Sequence, residues 1–101
     1  MKYLITTSPR TPMPPERALA ILQGGKDWVN ASLKNGAVDF FYGFPQGGGV
    51  GVFNAESHAS LMRLLRTFPI IPFTQVQVQP LVESDDGFDL AIEAVKKASL
   101  R

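Results

Sequence analysis

The sequence predicts an α+β fold: a four-stranded antiparallel sheet, two helices on one of its faces, and a further helix as a tail. Three observations predict it. Apolar residues recur with period 2 or period 3.6 in segments ordered strand, helix, strand, strand, helix, strand. Every proline but Pro80 falls between those segments rather than within them, and the first helix is free of proline and glycine with one exception. A chain of 101 residues has room for one core of this kind and not two.

"KYLITT" (2–7) is rich in β-formers and stops at Ser8-Pro9, which makes it the first strand. The four prolines of "SPRTPMPP" (8–15) form a loop, and Pro15 suits the first turn of a helix, where its missing N–H is no loss. From Glu16 to Asn35 the rows Ala18, Leu22, Val29, Leu33 and Ile21, Gly25, Trp28, Ser32 lie side by side as one broad helical face, and Gly36 ends it. Gly24-Gly25 is the exception. Each costs a helix roughly 1 kcal/mol relative to alanine, so the pair marks a kink or a close approach by another segment.

"AVDFFYGF" (37–44) and "GVGVFN" (49–54) read as strands joined by the hairpin "PQGG" (45–48). Asn54 or Ser57 caps a second helix reaching Thr67, with Leu61, Leu64, Leu65 and Phe68 on its buried side, and Pro69 terminates it. "TQVQVQPLV" (74–82) is a strand of strict alternation. Asp86 and Asp89 open the tail helix, whose Lys96, Lys97 and Arg101 suit its C-terminal end. The order is that of the split βαβ, ferredoxin-like arrangement: residues 1–84 form the domain, and 85–101 a C-terminal helix that packs on a neighbouring subunit.

Composition narrows the function. Hydrophobic residues are 45% and charged residues 19%, a globular balance with apolar surface left over for an oligomer. A net charge of +1 with no basic stripe argues against nucleic acid. No apolar run approaches the ~20 residues that span a bilayer, and the N-terminus lacks the pattern of a signal peptide, so a cytoplasmic protein without membrane partners is expected. The absence of cysteine removes disulfides and thiolate chemistry. His58, the one histidine, has no carboxylate cluster at ligand spacing, so no metal site is expected. "QGGGVG" (46–51) leads from strand to strand and not into a helix, which excludes a phosphate loop.

Strand parity then divides the candidate residues. Strict alternation predicts Val38, Phe40, Tyr42, Phe44, Val50, Val52, Val76 and Val78 beneath the helices. Asp39, Phe41, Gly43, Gln75, Gln77 and Gln79 fall on the opposite face, which a second copy would cover in a homodimer, with glutamine amides serving a damp interface. Two readings stand for Asp39: a general base with a raised pKa beside Phe40 and Phe41, or an exposed carboxylate in an ion pair. Trp28 either packs in the core or forms a flat wall for a small apolar ligand, with Tyr42 as a hydrogen-bond donor. Phe41 and Gln77 are the further residues expected to meet such a ligand.

"FPIIPFTQVQVQPL" (68–81) resembles the proline-flanked apolar run that leads into the last strand of muconolactone isomerases, and "GVGVFNAES" (49–57) resembles their third strand and following turn. The resemblance spans about residues 16 to 82. It implies the dimeric α/β-barrel superfamily, in which two such sheets pack face to face, and a higher ring assembly. It also implies proton transfer on a small lactone with neither metal nor organic cofactor, or, as in other relatives, a cofactor-independent monooxygenase or a ligand-binding module. Where the family's isomerases carry ionisable residues on the first two strands, this chain has Tyr3-Leu4-Ile5-Thr6 and Val38-Asp39-Phe40-Phe41, leaving Asp39 and Lys26 as the proton carriers the resemblance points to.

Overall fold

The computed structural model describes residues 1–100. Its elements are β1 (Lys2–Pro9), α1 (Pro15–Asn35), β2 (Val38–Gly43), β3 (Gly49–Asn54), α2 (His58–Arg66), a short 3-10 turn (Ile71–Phe73), β4 (Thr74–Leu81) and α3 (Ser84–Ser99). The strands form one antiparallel sheet in the order β2-β3-β1-β4, the ferredoxin-like order expected. α1 begins at Pro15 and is closed by Gly36 at φ +84. Ser57 caps α2, its hydroxyl accepting from the Ser60 amide at 3.1 Å.

The core lies between the sheet and the two helices, built from Tyr3, Ile5, Val38, Phe53, Leu61, Leu65 and Phe68. Thr7 is also fully buried there, and its hydroxyl accepts from the Gly49 amide at 3.0 Å, so the polar group is satisfied. Of the two rows on α1, only one is buried. Ile21, Gly25 and Ser32 face the core with Trp28 half-buried, whereas Leu22 and Leu33 stand 56% and 40% exposed. One helix crossing one sheet covers a narrower stripe than the apolar residues of α1 could fill.

Gly24-Gly25 receives the proline-flanked knot. Pro69 rests over Gly24 and Ile70 over Gly25, where an added Cβ would lie 3.5 Å from Pro69 Cγ and 3.0 Å from Ile70 Cγ2. One turn further on, the Trp28 ring stacks on Phe68 at 4.3 Å between centroids and 11° between planes. Its Nε1–H donates to Thr67 Oγ1 at 2.9 Å, and that hydroxyl donates to the Leu64 carbonyl at 2.7 Å. The glycine pair is thus a close approach and not a break: α1 continues through it.

The sheet corrects the predicted parity. Strict alternation puts Phe40, Tyr42, Val50 and Val52 beneath the helices and Phe41 on the open face; the structure has the reverse. The pairing of β2 with β3 steps from Val38↔Phe53 to Phe40↔Val52, so Asp39 is one extra residue on β2, a β-bulge. Beyond the bulge every side chain changes face. Val38 still points to the core, but Phe41 now points there too, opposite Gly51, while Phe40 and Tyr42 pair with Val52 and Val50 on the open side. Gly49 and Gly51 make this packing feasible, since a Cβ on either would come within 2.8 Å of the Phe41 ring. On β4 the alternation holds: Val76 and Val78 lie opposite Thr7 and Ile5 on the helix side, with the glutamines on the other.

α3 departs from this body, and its large apolar side chains are all exposed. The molecule measures 64 × 27 × 25 Å as a result.

The glycine pair gives an opposed prediction for two adjacent positions. Gly24→Ala meets ordinary contact and gains helix propensity, so it raises stability by about 0.5–1 kcal/mol. Gly25→Val pushes against Ile70 and lowers stability by about 1–3 kcal/mol. Urea denaturation of both variants checks this; equal effects at the two positions would contradict the packing described.

Candidate functional site

Seating the knot on α1 leaves a groove of about 430 Å³ beside the β2 edge of the sheet. α1 supplies Leu22, Lys26, Val29 and Asn30, β2 supplies Phe41, and the knot supplies Phe68 and Ile70. Leu22, Lys26 and Asn30 are spaced i, i+4, i+8 and therefore form one row on the helix. The Phe41 ring forms the sheet-side wall and meets Phe68 edge-on at 5.8 Å. The chemistry of this groove is simple: aromatic and aliphatic walls, one ammonium group and one amide. Its size falls in the range of sites for small organic ligands, about 300–1,000 Å³.

The structure brings together two of the residues singled out from sequence, Lys26 and Phe41. The others lie elsewhere. Trp28 sits behind the groove, held by Phe68 and Thr67. Tyr42 is on the opposite face of the sheet, 69% exposed, with its ring 5.6 Å from that of Phe40. Gln77 shares that open face but stands on β4, at the other edge of the sheet. Asp39 is at the bulge, away from the groove. Sequence reading missed Asn30 and Leu22 as groove residues, although their spacing from Lys26 was a usable signal once α1 was split into rows.

Asp39 is tied into a polar cluster. Lys2 Nζ donates to its Oδ2 at 2.6 Å, and Asn54 Nδ2 donates to its Oδ1 at 2.7 Å. The same Asn54 amide reaches the Gly36 carbonyl at 2.9 Å, and Lys2 also donates to Asn54 Oδ1 at 2.9 Å. Hydrogen bonds from Lys2 first, and from Asn54 second, hold the Asp39 carboxyl below its ordinary value, with the Lys2 charge adding to them and slight desolvation opposing them. The raised pKa expected of a general base here is therefore the wrong direction, and the ion-pair reading describes this side chain. His58 lies in the first turn of α2, its ring 5.4 Å from that of Tyr3. Among the described residues no cluster of three histidine, aspartate or glutamate side chains is placed to hold a metal ion.

The family model described as muconolactone delta-isomerase matches residues 1–86. A crystal structure of muconolactone isomerase has the same fold, with a TM-score of 0.74 and 19% identity, covering 82% of this chain and 90% of that one. At that identity the likeness concerns the fold alone. No curated protein matches this chain.

The Asp39 cluster sets a pH dependence. Its folded-state pKa lies below the ordinary 3.8, so the stability it contributes is full above that value and is lost as pH falls through the folded value. Because both partners are partly exposed, the contribution is at most about 1 kcal/mol. Asp39→Ala is expected to lower the melting temperature at pH 7 by a few degrees, with the gap from the natural protein closing towards pH 3 and below. A gap that widens on acidification would contradict the ion pair.

Proposed function

The chain belongs to the muconolactone delta-isomerase family, and from that premise we propose that it binds a small apolar molecule carrying one anionic group, and does so as a homo-oligomer. The observation that carries the binding reading is the groove of about 430 Å³, in which Lys26 and Asn30 are the polar side chains on otherwise apolar walls. A carboxylate would meet the Lys26 ammonium and the Asn30 amide, while Phe41, Phe68 and Ile70 take up the hydrocarbon part. A lactone with a carboxylate arm fits this description. Lys26 is the titratable side chain lining the groove, so it is the residue we assign to proton transfer in any isomerisation there. Asp39 we assign to holding the bulge.

The assembly reading rests on the open face of the sheet. Leu4, Phe40 and Val50, partly exposed, form an apolar patch there with Tyr42 at 69% exposure, next to the exposed row Gln75, Gln77, Gln79. The bulge makes this face more apolar than strict alternation predicts. Two such faces packed together would cover it, with Tyr42 and Gln77 in the interface. α3, which buries no large apolar side chain in its own chain, packs in this reading on a neighbouring subunit.

Two measurements test these readings. In titrations with small lactone and aromatic carboxylates followed by Trp28 fluorescence, Lys26→Ala should weaken binding about tenfold or more, which is about 1.4 kcal/mol. Equal binding of the acid by the variant, or of its neutral ester by the natural protein, would remove Lys26 from the site. In sedimentation equilibrium the full chain should be a dimer or larger, and Tyr42→Asp should weaken that association at least tenfold. A monomeric natural protein would overturn the assembly reading.

A further inference from the structure

The family match ends at residue 86, within the first turn of α3. Its outward face has a definite pattern. Phe88, Ile92 and Val95 form one stripe, with exposures of 69%, 49% and 66%. Along one flank of that stripe run Asp85, Asp89 and Glu93, spaced i, i+4, i+8. Like charges at that spacing disfavour an isolated helix by a few tenths of a kcal/mol per pair. The row thus calls for cations opposite it.

A surface with the matching features lies between α2 and β4. It is a groove of about 410 Å³ with Leu65, Val76 and Val78 among its lining residues and Arg10 and Arg66 at its rim. Among the described residues the ion pair formed is Lys2–Asp39, so neither arginine has a carboxylate partner. Both stand at the end of the groove where β4 begins: Arg10 follows Pro9, which pairs with Thr74, and Arg66 ends α2. The helix, of 16 residues, is about 24 Å long. β4, of 8 residues, is about 26 Å.

Direction decides whose helix fits. Only Val82 and Glu83 separate β4 from α3. If α3 folded back on its own chain it would run antiparallel to β4, bringing Lys96 and Lys97 against Arg10 and Arg66 and leaving Asp85 and Asp89 about 18–24 Å away from them. The acidic half can meet the arginines only if the helix runs in the same direction as β4, and a two-residue connection cannot deliver that within one chain. We propose that α3 of one copy lies in the α2–β4 groove of a second copy, parallel to β4. Phe88, Ile92 and Val95 rest on Leu65, Val76 and Val78, and Asp85 and Asp89 face Arg10 and Arg66, with Glu93 continuing the row along the groove. This rests on the reading of the chain as a homo-oligomer and assigns the arm its place within it.

The chain has no cysteine, so single thiols can be placed at will. Full-length Ile92→Cys and Met62→Cys, both at exposed positions, are mixed in equal amounts and treated with a short bismaleimide. The expected product is a covalent dimer containing one of each, in large excess over that from either variant alone. Arg10→Glu with Arg66→Glu in the Met62→Cys chain should reduce the yield at least tenfold. Asp85→Arg, Asp89→Arg and Glu93→Arg in the Ile92→Cys chain should restore it. No mixed dimer, or a chain carrying both cysteines that links to itself as a monomer, overturns the proposal. If linking fails while the natural protein still sediments as an oligomer, only the placement of the arm falls; if the natural protein sediments as a monomer, the assembly reading falls with it.

Discussion

One extra residue in β2 determines which side chains each face of this sheet carries. At Asp39 the strand bulges, and from there on its side chains exchange faces relative to β3. Phe41 turns inward and Phe40 and Tyr42 turn outward. The bulge is held from three sides, by the Lys2 ammonium, by the Asn54 amide, and by the Asn54 contact to Gly36 at the end of α1. Lys2 is on β1 and Asn54 on β3, so the cluster joins the first three strands where the chain enters β2.

Two surfaces follow from that exchange. On the helix side, Phe41 occupies the space left by Gly49 and Gly51, closes against Phe68, and becomes the wall of the groove that carries Lys26. Without the bulge a Phe40 ring would stand there in a different register, and Gly49 and Gly51 would serve no packing purpose. On the open side, Phe40, Tyr42, Val50 and Val52 join Leu4 on one apolar face, where Tyr42 is the most exposed. The groove and the apolar open face therefore share one structural cause. The knot is the second constraint on the groove, because Phe68 and Ile70 reach it only where Gly24-Gly25 lets them approach α1.

The element order was legible because each segment carries its own period and each boundary its own proline, glycine or cap; Pro15, Gly36, Ser57 and Pro69 act where they were expected to. The glycine pair in α1 could be recognised as either a kink or a contact, and only the packing of Pro69 and Ile70 distinguishes them. The faces of β2 and β3 were not legible. Alternation has no mark for an inserted residue, and valine beside glycine suggests that valine is the buried partner; here the glycines face the core because an aromatic ring from the next strand covers them. For the same reason Phe41, expected on the open face, lines the groove, while Tyr42, expected beneath the helices, stands exposed on the open face. Lys26 was found through family resemblance, whereas Asn30, one turn further along the same helical row, was passed over.

The face assignment of Phe41 carries the account, and it can be read directly in solution. With selectively labelled phenylalanine and glycine, nuclear Overhauser effects are expected from the Phe41 ring to the α-protons of Gly49 and Gly51, together with upfield ring-current shifts of those protons. The Phe40 ring should instead show effects to the methyl groups of Val52. If Phe40 contacts the glycines and Phe41 the valines, β2 has no bulge in solution, and both the groove and the open face described here lose their basis.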